Sequence, residues 1–255
     1  MSETKKTNWK TTDKRFVAFL DILGFKDKVM RNTHNEIYDE LTKLSKAKSF
    51  IEETASKSHD GEVYKDADIY IVSFSDSIVI FSKNDDFENF EFFLISVRYL
   101  FANAIVNNIA LKGGIAHGEI SLNKKEQIYF GQPIIDAYLI EEDVNYFGVV
   151  AHNSIDKYIE TAESNYTNSK IMERILFREK TPLKCGKIKH INLDWFIMSI
   201  KYDANENQKT KIIDILNRFN LTASGSARRY VDNTIELFED LSSKEKINLK
   251  PLDPL

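Results

Sequence analysis

The chain has 255 residues, 42% of them hydrophobic, and a formal net charge of −4. That is ordinary globular composition with room for one large domain, and it argues against wholesale disorder and against a basic duplex-binding face. The single cysteine, Cys185, excludes an intramolecular disulfide and a thiolate metal cluster.

Residues 1–14 read as a flexible polar lead-in that lacks the apolar core of a signal peptide. Phe16–Leu20 is a short apolar run that predicts a buried strand, ended by Asp21 and Gly24. From Lys26 to Ser56, Val29, Ile37, Leu41, Leu44 and Ile51 recur at helical spacing and predict one long helix or two consecutive ones. Ala67–Phe74 and Ser77–Phe81 are β-rich runs separated by Ser75-Asp76, which predicts a hairpin. A helix is expected over Phe87–Asn107, then a strand over Ile109–His117 and another near Gln127–Phe130. Gly131 and Pro133 open a helix to about Glu142, since proline is tolerated in a first turn, and Phe147–Ala151 is a further strand.

Beyond residue 152 the expectations are a helix over Asn153–Thr161, a strand over Lys187–Phe196, and helices over Gln208–Phe219 and Ser226–Leu241. The order fits an α+β sandwich near a ferredoxin-like core, with an antiparallel-containing sheet and helices on one face. Residues 15–151 form its core. Residues 152–255 continue the same domain or extend it with helices. The uncovered sheet face then needs a partner subunit, and a twofold homodimer is the simplest one. No run of about 18 apolar residues occurs, so no membrane span is expected and the cytoplasm is the natural compartment.

Two acidic residues carry the chemistry. Asp21 ends a buried strand, and Gly24 permits a tight turn whose backbone N–H groups would face an anion such as a triphosphate. Asp76 sits at the predicted hairpin turn between small hydroxyl residues. Alone, each reads more readily as a cap or a turn residue. In a ferredoxin-like sheet, however, the two could converge. Carboxylates about 4 Å apart repel by roughly 4 kcal/mol at an effective dielectric of 20. Hard divalent cations such as Mg²⁺ or Mn²⁺ relieve that repulsion.

These segments resemble a known family. Phe19-Leu20-Asp21-Ile22-Leu23-Gly24-Phe25, Phe74-Ser75-Asp76-Ser77, Lys112-Gly113-Gly114-Ile115-Ala116-His117-Gly118 and Tyr129-Phe130-Gly131 through Ala137 fall in the order of class III nucleotidyl cyclases. The resemblance is closest to the bacterial pyrimidine cyclases of the Pycsar antiphage system. It implies that Asp21 and Asp76 are catalytic and hold two divalent cations, Mn²⁺ or Mg²⁺, with Ile22 as a backbone-carbonyl ligand. It also implies that Leu23, Gly24 and Phe25 lie against the triphosphate of UTP or CTP, that a homodimer forms, and that a separate effector protein reads the cyclic nucleotide.

Purine cyclases carry a lysine and an aspartate where this chain has Val72 and Ile128, and an asparagine and an arginine where it has Ile135 and Leu139. Lys112 and Arg98 are candidates for the missing cation. Tyr70 shares strand parity with Val72, Phe74 and Asp76 and is a candidate to narrow the base pocket. His117 reads as a packed strand residue. A degenerate cyclase-fold module without turnover and a purine cyclase with unusual base contacts remain as alternatives.

Overall fold

The structure is a computed structural model, described over residues 9–57, 64, 66–162, 165, 167, 169, 172–201, 203–247 and 249. Residues 1–8 of the expected lead-in lie outside the described residues. The rest of that segment is partly structured, because strand β1 runs Thr12–Ile22 and Thr12 already pairs with Ser121.

Two consecutive helices follow, α1 (Phe25–Arg31) and α2 (His34–Lys57). A capping box starts the second: Thr33 Oγ1 accepts from the Glu36 N–H at 3.3 Å, and the Glu36 carboxylate accepts from the Thr33 N–H at 2.8 Å. The hairpin is β2 (Ile69–Phe74) and β3 (Ser77–Ser82), closed by the two-residue turn Ser75-Asp76 with Ser75 at φ 56°. Helix α3 (Phe87–Val106) begins at Asp86, whose side chain accepts from the Asn89 N–H. By length and composition α3 is apolar enough to cross a membrane, yet most of it is buried inside the fold, as a core helix is.

Strand β4 (Leu111–Asn123) is longer than its apolar run. Beyond it lie β5 (Ile128–Phe130), α4 (Gln132–Asp143), β6 (Val149–Ala151) and α5 (Asn153–Thr161). The C-terminal part adds a four-residue turn of helix, α6 (Met172–Ile175), then β7 (Leu176–Leu183), β8 (Gly186–Leu193), α7 (Gln208–Asn220) and α8 (Arg228–Ser243).

The strands form one sheet in the order β2-β3-β1-β4-β6-β8-β7, with β5 on β4. Only β4 and β6 run parallel. The first four strands, joined by α1–α2 and by α3, make the ferredoxin-like core. Because β6 pairs with β8 at Val150↔Asn192, the C-terminal strands continue the same sheet.

Alternation along β1 divides the interior. Phe16, Ala18, Leu20 and Ile22 face the main core, which also takes Leu44 of α2, Phe93 of α3, Ile155 of α5, Leu216 of α7 and Phe238 of α8. Val17 and Phe19 face a smaller cluster with Phe81, Ala116, Ile120 and Ala137. Helices on one face is thus the arrangement for most of them, but α4 lies on the opposite face. The reason is a glycine in β4. A Cβ at Gly114 would stand 2.2 Å from the Ala137 carbonyl oxygen and 3.0 Å from the Glu141 nitrogen, so α4 rests its backbone directly on β4. Gly114→Ala is therefore expected to cost about 3 kcal/mol, read as a lower midpoint in chemical denaturation. Helix α4 does not cover this face fully: Phe74 of β2 is 84% exposed, and Leu139 of α4 itself is 53% exposed.

Candidate active site

Register brings the two aspartates together. Asp21, the penultimate residue of β1, pairs with Ser77 of β3 on one side and Lys112 of β4 on the other. The Ile22 N–H donates to the Asp76 carbonyl at 2.9 Å, fixing the hairpin turn against the end of β1. Both residues are half-buried. Burial holds the Asp21 carboxyl above the usual carboxylate range, the negative charge of Asp76 adds to that, and Lys112 opposes it. Asp76 is thus held close enough to Asp21 to disfavour the charge on it.

A hard cation fits this donor set, since carboxylate oxygens are its preferred ligands and its charge removes the repulsion. Among the described residues no cluster of three or more His, Cys, Asp or Glu side chains surrounds such a position. Any further ligands are therefore backbone, water or substrate oxygens. The Ile22 side chain is buried in the core and its N–H is committed to Asp76, which leaves its carbonyl as its only polar group for such a role. Leu23 donates its N–H to the Ala110 carbonyl at 2.9 Å. Gly24 takes φ 72° to turn the chain into α1, the left-handed region that favours glycine, and Phe25 packs on the core.

Lys112, expected as a free cation toward the nucleotide, is not free. Its Nζ lies 2.8 Å from the Glu141 carboxylate and donates to the Glu141 carbonyl at 3.0 Å, with both side chains under 10% exposed. Arg98 is buried in α3 on the main-core side, where Asp194 is its electrostatic partner. Lys112 acts on Asp21 through space while its ammonium is committed to Glu141, and Arg98 lies elsewhere in the core.

Tyr70 does share a face with Phe19 and Val72, as parity predicts. It pairs with Phe81, however, four residues along β3 from Ser77, which is about 13 Å at 3.3 Å per residue. There its hydroxyl is 2.8 Å from the Tyr129 hydroxyl and its ring lies under the Lys124 ammonium. Sequence parity therefore gave the side but not the distance. His117 is packed between Phe16 and Tyr158, with Nε2 3.0 Å from Asp85; burial lowers its pKa and the Asp85 contact works against that.

Two residues of α4 to which no role was assigned from sequence lie within electrostatic reach of Asp21. Burial raises the pKa of Glu141 and Asp21 adds to that through space, and Asp21 also raises the pKa of Tyr138, behind the nearer effect of Glu142. Tyr138 packs edge-on against Phe19 at 5.3 Å. Val72 is half-buried and Ile128 exposed, and both offer only apolar surface.

The sequence matches no protein-family profile and no curated protein. Solved structures do resemble it. The guanylate cyclase domain of RhGC from Catenaria anguillulae, in complex with GTP, superposes with a TM-score of 0.50 at 11% identity, covering 72% of this chain and 98% of that one. A bacterial light-regulated adenylyl cyclase reaches 0.46 at 10% identity, covering 82% of this chain and all of that one. At 11% identity the first likeness speaks for architecture, and the chain has the α+β fold of the class III nucleotidyl cyclase domains.

Proposed function

We propose that the protein is a nucleotidyl cyclase that converts a pyrimidine nucleoside triphosphate, UTP or CTP, to the 3′,5′-cyclic monophosphate and pyrophosphate. The observation that carries this is the convergence of Asp21 and Asp76 at one end of a cyclase-type sheet, with Asp21 held above its ordinary pKa partly by Asp76. Divalent cations at these carboxylates, Mn²⁺ or Mg²⁺, would supply charge neutralisation for the phosphates and a lower pKa for the ribose 3′-hydroxyl. The chain's own contribution is positional. Ladder pairing on both sides of Asp21 and the Ile22–Asp76 hydrogen bond hold the two carboxylates without reorganisation, and turn residues Leu23, Gly24 and Phe25 would lie at the phosphates.

The pyrimidine reading rests on Val72 and Ile128, where no side-chain donor or acceptor is available for a purine edge. Exposed Phe74 on the incompletely covered sheet face and exposed Leu139 on α4 support a homodimer. By its resemblance to the antiphage group, the product would be a messenger read by a separate effector protein.

A purine cyclase is the second reading, favoured by the GTP-bound RhGC domain among the similar structures. Incubating the purified chain with each of the four ribonucleoside triphosphates and Mn²⁺, and resolving the products by mass spectrometry, separates the two. Predominant cUMP or cCMP is expected. Predominant cGMP or cAMP selects the second reading, and no cyclic product from any of them overturns the enzyme.

A further inference from the structure

We propose that Lys124, in the turn between β4 and β5, is a site of Nε-acylation whose charge fastens Trp9 across the sheet. The proposal is independent of the cyclase reading.

Lys112 of β4 lies beside Asp21 and Ser121 beside Thr12, so Lys124 is at the opposite end of the sheet from the aspartates. In strand order β3, β1 and β4 separate β2 from β5. Four steps of about 4.8 Å would put those two strands about 19 Å apart in a flat sheet. The Tyr70 and Tyr129 hydroxyls nevertheless lie 2.8 Å apart, so β2 and β5 curl toward each other on the face carrying the smaller cluster. Trp9 crosses the resulting trough. Its indole N–H donates to the Asp68 carboxylate at 2.7 Å, just before β2, and its ring meets Tyr70 edge-on at 6.3 Å. From the other side the Lys124 ammonium reaches to 3.5 Å from the Trp9 ring centroid. Trp9 is thus tied to both sides, and Lys124 is its fastening on the β5 side.

The surroundings of that ammonium are unusual for a lysine. It also lies 4.4 Å from the Tyr70 ring centroid, and the Arg15 guanidinium is 5.0 Å from the same Trp9 ring. Among the described residues Lys124 makes no ion pair, whereas Lys28, Lys187 and Lys244 each face a carboxylate. Asp68, the chief acidic influence on it, already accepts from the Trp9 indole and from the Ile69 N–H. Ring faces and a second cation, in place of water and a counterion, make an ammonium give up its proton more readily. Cation–π attraction recovers only part of that. Burial accordingly pushes Lys124 down to about 8; Asp68 opposes this, Arg15 adds to it and Glu52 opposes it. Burial and the Tyr129 hydroxyl hold Tyr70 at about 12, so the ring beside it stays neutral. The lysine is half-buried on a turn, within reach of a small electrophile such as an acyl phosphate. The neutral amine attacks the acyl carbon, forming the N–C bond as the C–O bond to phosphate breaks. Phosphate leaves with the electron pair, and the amine proton passes to solvent. The amide product is uncharged and no longer attracted to the Trp9 ring.

The test treats the full chain with limiting acetyl phosphate at about pH 7.5 and ranks the modified lysines by peptide mass spectrometry. Lys124 is expected to react about tenfold faster than its exposed neighbour Lys125, because its larger share of free amine outweighs its lower basicity. Trp9→Ala should bring Lys124 back to the Lys125 rate. Fluorescence reads the fastening, since the chain has two tryptophans and Trp195 is fully buried. Acrylamide quenching should rise in Lys124→Gln, which mimics the amide, and stay at the wild-type level in Lys124→Arg, which keeps a cation on the ring. Acylation of Lys124 no faster than of Lys125 overturns the site. Quenching in Lys124→Gln equal to that of the wild type overturns the fastening of Trp9, and with it the proposal.

Discussion

Asp21→Asn and Asp76→Asn are each expected to lower the proposed cyclic-nucleotide formation by roughly 10³-fold, because each removes a proposed carboxylate ligand without changing side-chain shape. A second readout needs no turnover. Mn²⁺ at a hundredfold excess over its Kd should stabilise the wild type by about 2.7 kcal/mol. That is a rise in Tm of about 5 °C or more for a chain of this size. In either variant the rise should disappear, and a full Mn²⁺ shift in both would sink the metal assignment.

The metal-free protein should behave in the opposite sense. The folded-state pKa of Asp21 is raised, so its contribution to stability is fully present below the ordinary carboxylate value and is lost as pH rises through the folded value. At neutral pH the ionised Asp21 thus destabilises the metal-free fold, and Asp21→Asn should be the more stable of the two. The difference should close on acidification. If the proposed cation binds here, the site lowers its own stability until that cation arrives, so that function and folding pull apart at Asp21.

Much of this arrangement was legible because its signals are local. The apolar run before Asp21, the Ser75-Asp76 turn between β-rich segments and the Gly131–Pro133 helix start each declare themselves within a few residues. Strand β7 did not. It carries Arg178-Glu179-Lys180 and Pro182, residues that read as loop but that an edge strand tolerates and that also discourage edge-to-edge pairing. The side of the sheet taken by α4 was hidden as well, since it depends on Gly114 lying under Ala137, 23 positions along the chain. Tyr70 shows the limit of periodicity: alternation names a face, but only register against Phe81 shows how far along that face the side chain sits. Lys112 shows the limit of charge, for a lysine near an aspartate in sequence-derived topology looks available until its long-range partner Glu141 is known.

That partner sets the largest expected loss of stability. Glu141→Ala would leave the Lys112 ammonium buried and facing only the Glu141 and Glu142 carbonyls, at 3.0 and 3.4 Å. Breaking one side of a buried pair typically costs about 3–5 kcal/mol, which should lower Tm by roughly 10 °C. Lys112→Met strands the other charge and removes a donor from the last carbonyls of α4. Here the outcome depends on pH. Burial already holds the Glu141 carboxyl above its ordinary value, with Lys112 the chief influence against it. Without the lysine, Glu141 can protonate instead of remaining a buried anion. A group whose folded pKa is raised loses its contribution as pH rises, so the Lys112→Met defect should be greatest at neutral or higher pH and shrink toward pH 5. Denaturation midpoints across that range would show it, and a defect independent of pH would mean that lost packing dominates. Replacing both partners, as Lys112→Met with Glu141→Leu, should recover most of the stability, because apolar side chains of similar volume need no desolvated charge. Since Lys112 also lowers the pKa of Asp21, the recovered protein should still titrate differently at Asp21, which separates the structural work of the pair from its electrostatic influence on the site.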